Sequence, residues 1–98
     1  MASNELLWHP EALEDAEDAK DWYAERSPRA ARGFLLELEK AIEAVCEHPE
    51  RWPKGSHGTR RYVFPSAYPY ALVYRFEARL WVIAVAHDRR DPEYWQGR

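Results

Sequence analysis

The strongest apolar pattern in the chain lies in residues 60–95, RRYVFPSAYPYALVYRFEARLWVIAVAHDRRDPEYW. Two apolar runs within it, 68–76 and Leu80–His87, are separated only by Glu77, Ala78 and Arg79, which predicts an antiparallel hairpin. The second run, LWVIAVA, is apolar throughout. Such a strand is covered on at least one face and lies away from the sheet edge. It stops abruptly at His87-Asp88-Arg89-Arg90-Asp91, so a buried strand delivers reactive groups to a fixed place at the sheet end.

Upstream, the apolar spacing is helical. After a short first strand over 5–9, Pro10 suits a first helical position, where its missing N–H costs nothing. Ala12, Ala16, Ala19 and Tyr23 then recur at helical spacing, predicting a helix over Pro10–Arg26. Its other face carries Glu14, Asp15, Glu17, Asp18, Asp21 and Glu25 and is either solvated or a partner surface. Ser27-Pro28 reads as a cap followed by a first-turn proline. A second helix follows over Pro28–Glu47, with a stripe of Ala31, Phe34, Leu35, Leu38, Ala41, Ile42 and Val45. Gly33 costs this helix about 1 kcal/mol against alanine, and close approach of the first helix is the expected return. Prolines 49 and 53 make the next stretch a loop with room for one short helical turn. A second strand is expected over 59–64 and a turn at Pro65-Ser66-Ala67, with Pro69 at an edge position or opening the third strand.

The predicted order is β-α-α-β-β-β, an α+β fold in one domain over 1–98. A helical hairpin packs on a mainly antiparallel four-stranded sheet. The partner of the first strand is left open.

Composition narrows the class. No apolar run approaches the ~20 residues of a membrane span, and the N-terminus lacks signal-peptide character, so a cytoplasmic chain is expected. The single Cys46 pairs with no other cysteine and reads as a small core residue. The scattered histidines give no metal-site spacing, and neither metal nor cofactor is expected. Residues 1–50 hold thirteen acids and five Lys/Arg, net −8, whereas residues 51–98 hold four acids and nine Lys/Arg, net +5. A basic second half either meets phosphate or an acidic segment, or is neutralised by the first half across the fold.

Candidate chemistry gathers late in the chain: Arg60 and Arg61, Arg75, then His87 with Arg89 and Arg90, then Tyr94 and Trp95. A meander brings such residues toward one surface. Cleavage of RNA by its 2′-hydroxyl needs a base, an acid and cations for phosphate, and His87, Tyr94 and an arginine are suitable types. Tyr and Trp also stack on bases.

The stretch PYALVYRF…LWVIAVAHDRRDPEYW, with RRYVF before it and HPERWP after the second helix, resembles the RelE/ParE family of bacterial toxins. Its most specific part is the closing V-A-H-x-R-R-x-P-x-Y-W. The resemblance covers nearly the whole chain and implies the toxin half of a type II toxin–antitoxin pair. Such toxins arrest growth, stabilise plasmids, and are neutralised by a cognate antitoxin that wraps a segment around them. RelE-like members cut mRNA on the ribosome without a metal, whereas ParE-like members poison DNA gyrase. The RelE-type site has an arginine just ahead of the L-V-Y of the third strand, where this chain has Ala71. It has another six positions before the C-terminal tyrosine, where this chain has Asp88. Tyr94 matches, and Arg60 and Arg61 stand near the basic strand-two positions.

This departure favours the ParE-like reading, with gyrase as target and Arg60, Arg61, Arg75, Arg89, Arg90, Tyr94 and Trp95 as target-binding residues. In the RelE-like alternative, with ribosome and mRNA as targets, His87, Tyr94, Arg61 and Arg90 would be catalytic. A third alternative is an inactive relative that only binds antitoxin. None of these readings involves a membrane or specific DNA binding by this chain alone.

Overall fold

The structure is a computed structural model that describes residues 5–65 and 67–98. The elements are β1 (Leu6–Trp8), α1 (Pro10–Arg26), α2 (Pro28–Glu47), a 3₁₀ turn (Ser56–Gly58), β2 (Arg60–Val63), β3 (Tyr70–Phe76) and β4 (Leu80–His87). Both helices have the predicted bounds because their ends are chemically marked. Pro10 and Pro28 open them; His9 Nδ1 accepts from Glu11 N–H and Ser27 Oγ from Ala30 N–H. Ser27 also donates its own N–H to the Tyr23 carbonyl at 2.8 Å, so one residue closes α1 and opens α2.

The sheet order is β1-β4-β3-β2. β1 lies parallel to β4, and the other pairings are antiparallel. β4 is therefore internal, as its unbroken apolar run requires. β3 begins at Tyr70, two residues later than the apolar run suggests. Tyr70 N–H turns back to the Tyr68 carbonyl at 2.8 Å, and Pro69 has no N–H to give to a ladder. The turn expected at Pro65-Ser66-Ala67 includes Ser66, which lies outside the described residues.

The helical hairpin covers one face of the sheet. Ala12, Ala16 and Ala19 of α1 and Ala31, Phe34, Leu38, Ala41 and Val45 of α2 are buried. All of these except Ala31 form one core cluster with Leu72, Tyr74, Leu80, Val82 and Val85 from the strands. Alanine at three successive turns of α1 lets its backbone come close to β4. Gly33 has a different neighbour from the one expected. A Cβ there would overlap the Tyr68 hydroxyl, which donates to the Ala30 carbonyl at 2.8 Å; the close approach is by a loop tyrosine and not by α1. Tyr74 is fully buried with its hydroxyl on the Pro49 carbonyl, and burial pushes its phenol up to about 12. Cys46 is half-buried against this core, and burial, then the charge of Glu47, raises its thiol.

A register shift separates the Val73–Ala84 and Tyr74–Val82 pairs and leaves Ile83 unpaired. Ile83 and Ala84 thus join Val73, Ala86 and Trp95 in a second cluster on the outer face, with Tyr94 packed against it. The tail beyond β4 is a partial third layer.

Candidate functional site

Among the described residues, β1 pairs only with Leu80–Val82, and no strand lies on that side of the next stretch of β4. Side chains complete it. The Ile83 carbonyl accepts from Arg98 at 3.0 Å and the Val85 carbonyl from the Tyr94 hydroxyl at 3.3 Å, while Val85 N–H donates to Asp15 Oδ2 at 3.2 Å. The Tyr94 hydroxyl and Arg98 also donate to Asp15, at 2.9 and 2.7 Å. Buried backbone groups need such partners, and an open strand edge invites unwanted pairing. Sequence reasoning assigned Asp15 to the polar face of α1 and overlooked Arg98. One signal was present: Asp15 lies three residues after Ala12 and four before Ala19, inside the apolar stripe.

Beyond this edge lies a cavity of about 490 Å³ between α1 and the end of β4. Asp15, Asp18, Trp22 and Tyr23 line it from α1; Tyr70, Val85, His87 and Arg90 line it from the sheet side. His87 pairs with Tyr70 across the ladder and meets its ring edge-on at 5.0 Å. His87 Nδ1 accepts the Arg89 N–H at 3.0 Å and lies 3.3 Å from Asp88 Oδ1. The Arg90 guanidinium stacks on Tyr94 at 3.8 Å. Burial, and next the hydrogen bond to Asp15, holds the Tyr94 phenol well above the ordinary tyrosine range. Its proton is committed to structure and poorly placed for transfer to a substrate.

The other predicted residues go elsewhere. Arg61 pairs with Val73 and faces the outer side, opposite to His87. It borders two outer cavities. One, of about 250 Å³, is shared with Ser56, Glu93 and Trp95. The other, of about 300 Å³, is shared with Ala71 and Asp88. Arg60 turns inward and donates to the carbonyls of Trp52 and Glu50 at 2.6 and 3.2 Å, pinning the loop after α2. Arg75 pairs with Trp81 at the far end of β4 from His87 and donates to the His57 carbonyl. Arg89 is exposed. One contiguous cluster was expected; the strands separate it by alternating faces and by the length of β4.

The ~300 Å³ cavity joins the two departures from the RelE-type pattern. Ala71 and Asp88, distant in sequence, face the same space beside Arg61. At the two positions where that pattern has cations, this cavity has a methyl group and a carboxylate. Among the described residues, no group of three or more His, Cys, Asp or Glu is placed to hold a metal ion.

The family model described as the ParE toxin of the type II toxin–antitoxin system, parDE, matches residues 6–92. The chain belongs to the ParE toxin family. A solved chain described as the chromosomal ParDE TA system from P. aeruginosa has the same fold, with a TM-score of 0.74 over 87% of this chain and 96% of that one. Identity is 14%, so the agreement is one of architecture: two helices on a four-stranded, mostly antiparallel sheet. No curated protein matches the sequence. Among the described residues of this ParE-family chain, no helix is long and apolar enough to cross a membrane.

Proposed function

We propose that this ParE-family chain acts in the cytoplasm as a growth-arresting toxin that binds and poisons DNA gyrase, and that a cognate antitoxin neutralises it. The observation that carries this reading over RNA cleavage is the cavity shared by Arg61, Ala71 and Asp88. Phosphoryl transfer needs cations aimed at the developing charge, and losing one such contact costs about 3 kcal/mol of transition-state stabilisation. A carboxylate in that place opposes the charge it would have to stabilise. Tyr94 supports the same reading, since its hydroxyl is held by Asp15 and Val85. The target-binding surface is assigned to the end of β4 and its turn, where Arg90 is exposed beside His87.

The test is pulse labelling of DNA and protein synthesis after inducing the chain alone in a bacterium. Early loss of DNA synthesis, with gyrase-linked DNA breaks in a purified assay, is expected. Earlier loss of protein synthesis would instead return His87 and Arg61 to a nuclease reading. Arg90→Ala should reduce killing at least tenfold while leaving antitoxin capture intact; killing equal to wild type rejects this surface.

A further inference from the structure

At the hairpin end of the sheet, remote from His87, the outer face carries Trp81 flanked by Arg75 and Arg79 around a cavity of about 250 Å³. Elsewhere Arg26 lies over Trp22, Arg90 over Tyr94, and Arg98 holds Asp15; here Arg75 makes one hydrogen bond, to the His57 carbonyl at 3.3 Å, at an exposed position. Among the described residues the Arg79 guanidinium has no hydrogen bond or ion pair, and Trp81 has no ring contact and is 40% exposed. The support beneath them is fixed. Glu77 N–H closes the turn onto the Arg79 carbonyl, and Arg75 and Trp81 are cross-strand partners on β3 and β4.

We propose that this face binds single-stranded or locally unpaired nucleic acid, with a base stacked on Trp81 and phosphates held by Arg75 and Arg79. An exposed indole between guanidinium groups on a rigid strand pair supplies both parts of sequence-tolerant strand binding, a π-face and cations. The fold adds charge complementarity. The acidic first half forms the edge strand β1 and the two helices that cover the inner face of the sheet, while the outer face takes Arg61, Arg75 and Arg79 from the basic second half. A polyanion is therefore steered toward the outer face. Glu77 at the cavity rim opposes it locally. The inference does not depend on which cellular target the toxin disables.

The experiment is fluorescence anisotropy of a labelled oligothymidylate of about twelve nucleotides with the full chain at low ionic strength. Binding is expected to weaken about tenfold or more in Trp81→Ala and to persist in Trp81→Phe. Arg79→Ala should lower the slope of log affinity against log salt by about 0.7, and Glu77→Gln should strengthen binding. Circular dichroism melts identify any variant that fails to fold, and Trp81→Phe and Arg79→Ala then decide the question. Absence of binding by the wild-type chain overturns the proposal, as does unchanged affinity in folded Trp81→Ala. Equal affinity for a glutamate-rich peptide of the same charge would also overturn it and assign the patch to an acidic protein segment.

Discussion

Three groups from distant parts of the chain converge on the Asp15 carboxylate: Val85 N–H, the Tyr94 hydroxyl and the Arg98 guanidinium. The Asp15 and Arg98 side chains are each only 10% exposed, so neither charge is tolerated alone. Arg98→Ala is expected to destabilise the fold by about 3 kcal/mol in urea denaturation. Adding Asp15→Asn should recover part of that loss, because the pair of changes removes both charges. Strict additivity of the two changes would refute the coupling. Asp15 was legible only as one acid among many on α1. Its special position follows from β1 being three residues long and leaving Ile83 and Val85 for side chains to complete.

Among the elements, α2 shows how a local preference is overruled. Alanine at Gly33 should help an exposed helix by about 1 kcal/mol. Here a Cβ would overlap the Tyr68 hydroxyl, and Tyr68 is held by the Ala30 carbonyl and by ring contacts with Tyr23 and Phe34. Gly33→Ala is therefore expected to destabilise the protein by about 1–3 kcal/mol. In a Tyr68→Ala background the same change should become stabilising, and thermal melts of the four proteins would decide. A Gly33→Ala protein as stable as wild type would mean that Tyr68 moves aside freely. The glycine was visible in the sequence as a cost to α2; its reason was not, because Tyr68 is thirty-five residues away. By contrast, the ends of α1 and α2 were fully legible, since Pro10, Ser27 and Pro28 act within one turn of where they stand.

For the molecule as a whole, the tail is tied down at both sides of the outer sheet face. Tyr94 and Arg98 reach Asp15 on one side. On the other, Glu93 Oε1 meets His57 Nε2 at 3.2 Å, and Trp95 is buried between at 2% exposure. Hydrogen bonding from Ser56, then from His57, lowers the Glu93 carboxyl below its ordinary value of 4.5. A carboxyl depressed in the folded state contributes stability above its unfolded value, and that contribution is lost as pH falls through the folded value. Acidification below 4.5 should thus loosen this side of the tail. The Trp95 indole N–H resonance, followed from about pH 6 to pH 3, should shift in the wild type but not in Glu93→Gln. An identical response in both would remove Glu93 from the clasp.

Sequence alone determined the element order, the helix bounds, the internal position of β4 and the departures at Ala71 and Asp88, because each depends on short-range patterning or on residue identity. The tertiary structure decided what depends on strand order and face. It placed β1 parallel to β4, sent Arg61 and His87 to opposite sides, brought Ala71 and Asp88 to one cavity, and turned a charge difference along the chain into a difference between layers. Side chains alternate between the two faces of a sheet, so a list of late arginines does not specify a surface until register and bulge are fixed.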